Sequence, residues 1–237
     1  KKVKADLAKT SDDPLSKERA VAVALRLLDL TAIRIGEKKS QRQIEEDKKE
    51  GRENYGLVAL RLKHLVKIKG DRFVLEFKGK SGVWQEIEVT DADAAEYLRA
   101  SRDLPGYELF KYLDANGEKH VLSDAAVRDY MDDNSSFTPK EFRTWHGTLA
   151  ATESLAKLGV PKSEEEQEAN IAEAIQAARD KLGHEDDTST ALDSYIHPAI
   201  IEGYREDPTD FVRHFNNGSV RAGLSKAEAR LVDYLER

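Results

Sequence analysis

The segment LGHEDDTSTALDSYIHP (182–198) holds a histidine, His184, then three consecutive acids, a run of small hydroxyl residues and, eleven residues beyond the histidine, Tyr195. The cations that such a tyrosine would need to work on a phosphodiester stand elsewhere: Arg34 after a long apolar run, Lys80 in KGKSG, and Arg143 in TPKEFRT. Each residue alone has a plainer explanation, since surface arginines and turn lysines are mostly solvated or ion-paired and a tyrosine is more often core packing with its hydroxyl bonded. Together they supply what one reaction needs. A tyrosine attacking phosphorus must lose a proton although its unperturbed pKa is about 10; neighbouring guanidiniums favour the phenolate and burial opposes it. Negative charge then gathers on the nonbridging oxygens of a five-coordinate phosphorus, where two arginines and a histidine donor stabilise it. A lysine on a mobile turn can protonate the leaving ribose oxygen. The product is a covalent phosphotyrosine that stores the bond energy, so neither ATP nor a metal is required and no cofactor is expected.

Composition bounds the setting of that chemistry. The chain has 237 residues, 39% hydrophobic and 35% charged, enough for one large domain or two small ones. The most apolar stretch, AVAVALRLLDLTAI (20–33), is broken by Arg26 and Asp29 and reads as a buried helix, not a membrane span, which needs about 18 uninterrupted apolar residues. The absence of cysteine excludes disulfides, thiolate catalysis and cysteine-ligated metals, and fits an intracellular location. The net charge of −7 argues on its face against a nucleic-acid partner, but the charge is polarised. Between 61 and 80 stand seven basic residues, Arg61, Lys63, Lys67, Lys69, Arg72, Lys78 and Lys80, against Asp71 and Glu76, a local balance of +5. Between 162 and 187 the balance is −6. The acidic segment reads as a solvated face, whereas for the basic one a phosphate-facing surface competes with that reading.

The elements that must position these residues are an α+β set, mainly α-helical. Ser16 should cap a helix running to about Thr31, which leaves Arg34 just past its end. Residues 40–54 are polar nearly all round and read as a surface excursion. Strand candidates at 57–61, 64–69, 72–78 and 83–89, with KGD and KGKSG as turns, predict an antiparallel β-meander within 54–89 that puts Lys80 at a hairpin tip. Thr138-Pro139-Lys140-Glu141 and Ser163 to Glu166 read as capping boxes, which sets Arg143 in the second turn of its helix. Gly183 should end the second of these helices as a left-handed cap, leaving His184 just beyond it. A final short helix is expected to carry Tyr195 and to be ended by His197-Pro198.

The segments TAIRIGE (31–37), ENYGLVALRLKHL (53–65), FKGKSG (77–82), FTPKEFRTWHGT (137–148) and SYIHP (194–198) resemble, in order and local context, the catalytic domain of the small type IB DNA topoisomerases, the poxvirus and bacterial branch. The likeness runs from about residue 15 to 205. It implies that Tyr195 is the nucleophile, that Arg34, Arg143 and His184 hold the scissile phosphate, and that Lys80 protonates the leaving 5′ oxygen with help from Arg34. It also implies a 3′ phosphotyrosyl link, strand rotation and religation on double-stranded DNA by a monomer with no membrane partner. The chain departs from the pattern in a longer interval between His184 and Tyr195, in Leu192 and Asp193 where relatives are commonly basic, and in a longer excursion after Arg34. A tyrosine recombinase uses a closely related constellation, and a DNA-binding module whose catalysis has lapsed is the alternative from another class. Relatives carry a small N-terminal clamp domain; here KKVKADLAK, read as flexible, leads straight into the first catalytic helix, so residues 1–237 are expected to be a single catalytic domain without it.

Overall fold

The apolar run behind Ser16 becomes α2 (Lys17–Thr31), with the Ser16 hydroxyl accepting the Arg19 N–H as expected. It lies at the centre of the first of two units, Lys1–Lys140 and Glu141–Arg237, into which this computed structural model divides. The structure describes residues 2–183, 195–217 and 220–237. All the apolar side chains of α2 from Ala20 to Leu28 are buried, because helices pack on it from several sides. One is α1 (Lys2–Lys9), a helix where the lysine-rich sequence suggested a flexible lead. Eight residues do not hold a helix by themselves. Tertiary contacts do it here: Leu7 is buried, and the fully buried Arg19 donates to the Leu7 carbonyl at 2.9 Å. Arg19 also reaches Asp93 on α4 (Ala92–Asp103), so its buried charge is paired.

The polar excursion contains α3 (Gln41–Lys49), closed by a complete Ser40–Gln43 capping box and anchored by a single buried side chain, Ile44. The antiparallel sheet has three strands, β1 (Leu65–Lys69), β2 (Arg72–Lys78) and β3 (Trp84–Thr90), in that order. The first of the four strand candidates, 57–61, is instead a turn of 3₁₀ helix over Leu57–Ala59. Its apolar run lacks the alternation of a half-exposed strand, and Leu57, Val58 and Leu60 are all buried. Its leading N–H groups go to the segment around Arg34 and form no ladder with β1. A small hairpin, β4 (Lys111–Leu113) with β5 (Lys119–Val121), lies where the sequence suggested only helices, and α5 (Asp124–Asn134) follows it.

The described elements of the second unit are all helices: α6 (Pro139–Leu158), α7 (Glu164–Leu182), α8 (Pro198–Glu206), α9 (Pro208–Asn217) and α10 (Lys226–Leu235). Its core joins Ala151 and Leu155 of α6 to Ile171 and Ala174 of α7, Ile196, Ile200 and Tyr204 around α8, and Phe211, Phe215 and Leu231. Gly183 caps α7 in the left-handed region at φ 63°, as the sequence suggested. Ser163 caps its other end, while the Glu166 carboxylate takes the Lys162 N–H, one residue outside the expected reciprocal box. Tyr195 is not helical. His197-Pro198 starts α8 where a helix end was expected, because the fixed φ of proline suits a first helical position and the His197 ring accepts the Ala199 N–H as a cap.

Candidate active site

In the first unit, two cations hang on one backbone frame. Arg34 is half-buried between buried Ile33 and Ile35, after Ala32 has closed α2 in the left-handed region at φ 56°. The carbonyls of Arg34 and Ile35 accept the N–H groups of Leu57 and Val58 at 2.9 and 3.1 Å. Gly36 and Gly56 meet backbone to backbone at this crossing. A Cβ on Gly56 would lie 2.3 Å from the Gly36 Cα, and one on Gly36, whose φ is +71°, would lie 2.5 Å from the Gly56 Cα. From the same segment the Tyr55 N–H reaches the Lys78 carbonyl at 2.7 Å, just before the turn of the β2–β3 hairpin. That hairpin closes through Gly79 N–H to Val83 O at 2.7 Å, with Ser81 and Gly82 at positive φ, and it presents Lys80 exposed in the turn as expected. Residues 55–58 thus tie the arginine segment to the lysine hairpin.

Glu53 organises the charges beside this frame. It accepts the Tyr55 hydroxyl at 2.9 Å and lies 3.4 Å from Lys63 and 3.8 Å from Lys78. Burial pushes its carboxyl up, but the hydroxyl and the two lysines outweigh it and the net direction is down. His64 is buried next to Tyr55, and its Nδ1 accepts the Arg61 N–H at 3.0 Å. Burial, reinforced by Lys63, pushes its imidazole down to about 4. Of the basic residues read as a phosphate-facing surface, Lys63, Lys67, Lys69, Arg72 and Lys78 are exposed, and Arg72 is ion-paired with Glu88. Arg61 is buried, donating to Gln41 and lying 5.9 Å from the Tyr107 ring.

In the second unit, α6 holds the tyrosine. The guanidinium of Arg143, a buried residue in the second turn of α6, lies 5.2 Å from the centre of the Tyr195 ring, a cation–π distance. Its Nη2 donates to the Leu182 carbonyl at 3.1 Å, satisfying an acceptor that the end of α7 would otherwise leave open. One turn further along α6, Gly147 lets the chain approach: a Cβ there would meet the Tyr195 carbonyl oxygen at 2.6 Å and Leu182 Cδ1 at 3.2 Å. The next residue, Thr148, is buried and accepts the His197 N–H on its hydroxyl at 2.9 Å. Ile196 is buried in the unit's core. Tyr195 is therefore held at its ring, at its carbonyl and through the two residues that follow it, and Arg143, Gly147 and Thr148 at i, i+4 and i+5 form one face that receives it. His184 lies outside the described residues.

The structure brings Arg143 to Tyr195 and sets Arg34 and Lys80 on a shared frame. The sequence reading missed the positioning residues Gly36, Gly56, Gly147, Thr148 and Glu53. The signal for Gly147 was present, because an interior helix glycine costs about 1 kcal/mol relative to alanine and so needs a packing reason. Among the described residues, the group suited to a metal is Asp114, Glu118 and His120 in the β4–β5 turn. Asp114 there accepts the N–H groups of Asn116 and Glu118 and lies 2.9 Å from the His120 ring, so hydrogen bonds of the turn account for the cluster. No helix among the described residues is long and apolar enough to cross a membrane.

Residues 1–207 match the family described as the eukaryotic DNA topoisomerase I catalytic core. The DNA topoisomerase 1B of Acanthamoeba polyphaga mimivirus is 28% identical over 214 residues, which cover 86% of this chain and 60% of that protein. The chain thus spans about 60% of the length of this curated relative.

Proposed function

Because the chain belongs to the DNA topoisomerase I catalytic-core family, we propose that it cleaves and rejoins one strand of duplex DNA by tyrosine transesterification, relaxing supercoils without a metal or a nucleotide. The observation that carries this reading is the Arg143 guanidinium 5.2 Å from the Tyr195 ring, on a tyrosine whose backbone abuts Gly147. The buried Arg143, held by the Leu182 carbonyl, keeps a fixed cation beside the tyrosine ring, where charge on a reacting phosphate would build.

In the proposed step, the Tyr195 oxygen forms a bond to phosphorus as the bond from phosphorus to the 5′ oxygen breaks. Arg34 and Arg143 hold nonbridging oxygens and stabilise the charge that builds there, each such donor being worth about 10²–10³ in rate. His184 adds a donor to the same oxygens. Lys80, exposed at the hairpin tip, gives its proton to the departing 5′ oxygen. The 3′ phosphotyrosyl link preserves the bond energy, the free 5′ end rotates about the intact strand, and the 5′ hydroxyl then attacks phosphorus to reverse the first step. Lys63, Lys67, Lys69, Arg72 and Lys78 supply phosphate contacts that steer the duplex towards the hairpin.

Relaxation of a supercoiled plasmid in excess chelator tests the reading. Relaxed topoisomers should appear without magnesium or ATP. Strict dependence on either would exclude the mechanism, and products that require paired sites on two duplexes would identify a recombinase instead.

A further inference from the structure

Trp84 is 58% exposed, an uncommon position for the largest side chain, and it opens β3 immediately after the turn that carries Lys80. In the sheet register it is paired across from Lys78, the last pair before the turn. On the same face the next pair is Glu76 with Glu86, two carboxylates directly opposite one another, followed by Val74 with Glu88. The face is therefore acidic in its middle, at Glu76 and Glu86, with Glu88 paired to Arg72 beyond them, and its exposed aromatic ring stands at the hairpin end, where Trp84 lies opposite Lys78 and next to the turn that carries Lys80. An aromatic surface kept in water between two lysines has the composition of a nucleic-acid contact, in which cations meet phosphates while the ring packs on sugar and base edges.

We propose that Trp84 packs against the duplex beside the scissile phosphate and helps to set which base pairs are accepted there. This inference rests on the strand-cleavage reading, in which Lys80 must reach the leaving 5′ oxygen. Lys80 lies two residues beyond the Lys78–Trp84 pair. Two residues span at most about 7 Å of backbone, so the Lys78–Trp84 pair stands within about that distance of the catalytic lysine. Duplex DNA advances about 3.4 Å per base pair, so the ring falls within about two base pairs of the cut. Lys78 opposite holds a backbone phosphate, and the facing Glu76–Glu86 pair disfavours phosphates on the stretch of the face just behind it.

The test uses the full chain, which contains two tryptophans, Trp84 and Trp145. In a Trp145→Phe, Tyr195→Phe chain all indole emission comes from Trp84, and no covalent chemistry intervenes. Adding a duplex oligonucleotide should quench or shift that emission saturably, and 0.5 M salt should reverse the change. In the otherwise native chain, Trp84→Ala should lower the rate of covalent adduct formation roughly ten-fold, the scale of one aromatic contact with a base. It should also flatten the dependence on base sequence in the two pairs flanking the cut, while Trp84→Phe should recover most of both. The proposal is overturned if duplex leaves Trp84 emission unchanged, or if Trp84→Ala cleaves with native rate and sequence preference. A chain that forms no adduct at all contradicts the cleavage reading and leaves the fluorescence result to decide whether the hairpin meets DNA.

Discussion

Replacing Gly147 with alanine separates stability from chemistry. Position 147 is inside α6, where alanine is favoured over glycine by about 1 kcal/mol, so local propensity predicts a helix at least as stable as before. The added methyl, however, would lie 2.6 Å from the Tyr195 carbonyl oxygen. An ordinary carbon-to-oxygen contact is about 3.3 Å, so the tyrosine segment must retreat by about 0.7 Å. The neighbouring Thr148 hydroxyl restrains His197 at 2.9 Å and the core holds Ile196, so the displacement falls on Tyr195. Misplacing a reacting group by about 1 Å costs about 10² in rate. Gly147→Ala should therefore slow single-turnover cleavage of a duplex oligonucleotide by about 10–10²-fold, with the thermal midpoint unchanged or raised and DNA affinity kept. Native cleavage by the folded variant would refute the idea that α6 positions the nucleophile, and so would a loss explained by unfolding alone.

In the first unit, Gly56→Ala forces a methyl to 2.3 Å from the Gly36 Cα, where neither backbone can yield. It should cost about 3 kcal/mol in urea denaturation, in the range of overpacked cores, and slow cleavage further by moving Arg34. Lys80→Ala should lose about 10²–10⁴ in cleavage of an ordinary duplex and recover on one whose leaving group is a 5′ thiol, which needs no proton; failure to recover would remove Lys80 from the acid role. Stability should also fall with pH through His64. Between its ordinary 6.5 and a folded value of about 4 the unfolded chain binds a proton that the folded chain refuses. Stability is therefore complete above about 6.5 and declines by up to about 3 kcal/mol towards pH 4. Denaturation midpoints from pH 7 to 4.5 should show this slope in the native chain and a weaker one in His64→Gln.

Residues that act through local order were legible in the sequence. Ser16 and Gly183 mark helix ends by cap chemistry alone, and KGKSG closes a hairpin because its turn tolerates positive φ, so Lys80 stands where the sequence suggested. Residues that act through tertiary contact were not. Leu57–Leu60 is apolar enough for a strand, but the N–H groups of Leu57 and Val58 are claimed by the carbonyls of Arg34 and Ile35, far back along the chain, which local pattern does not encode. Likewise α1 exists because Leu7 finds a core and Arg19 takes its carbonyl. His197-Pro198 fits a helix start as well as a helix end, and the structure makes it a start, with the His197 ring capping the Ala199 N–H and the Thr148 hydroxyl taking the His197 N–H. The five candidate catalytic residues were found by type and motif, whereas the glycines that bring backbones together around them became readable only from the approach distances.

The central claim is that Tyr195 becomes covalently joined to DNA, and one measurement addresses it directly. A duplex oligonucleotide that loses its 5′ leaving fragment on cleavage is incubated with the chain in excess chelator without nucleotide, denatured, digested with protease and analysed by mass spectrometry. The account predicts a single adduct, on the peptide containing Tyr195 and linked to a 3′ phosphate, which is absent from Tyr195→Phe. An adduct that persists in Tyr195→Phe, one mapped to another residue, or none from a folded native chain that binds the duplex would contradict it.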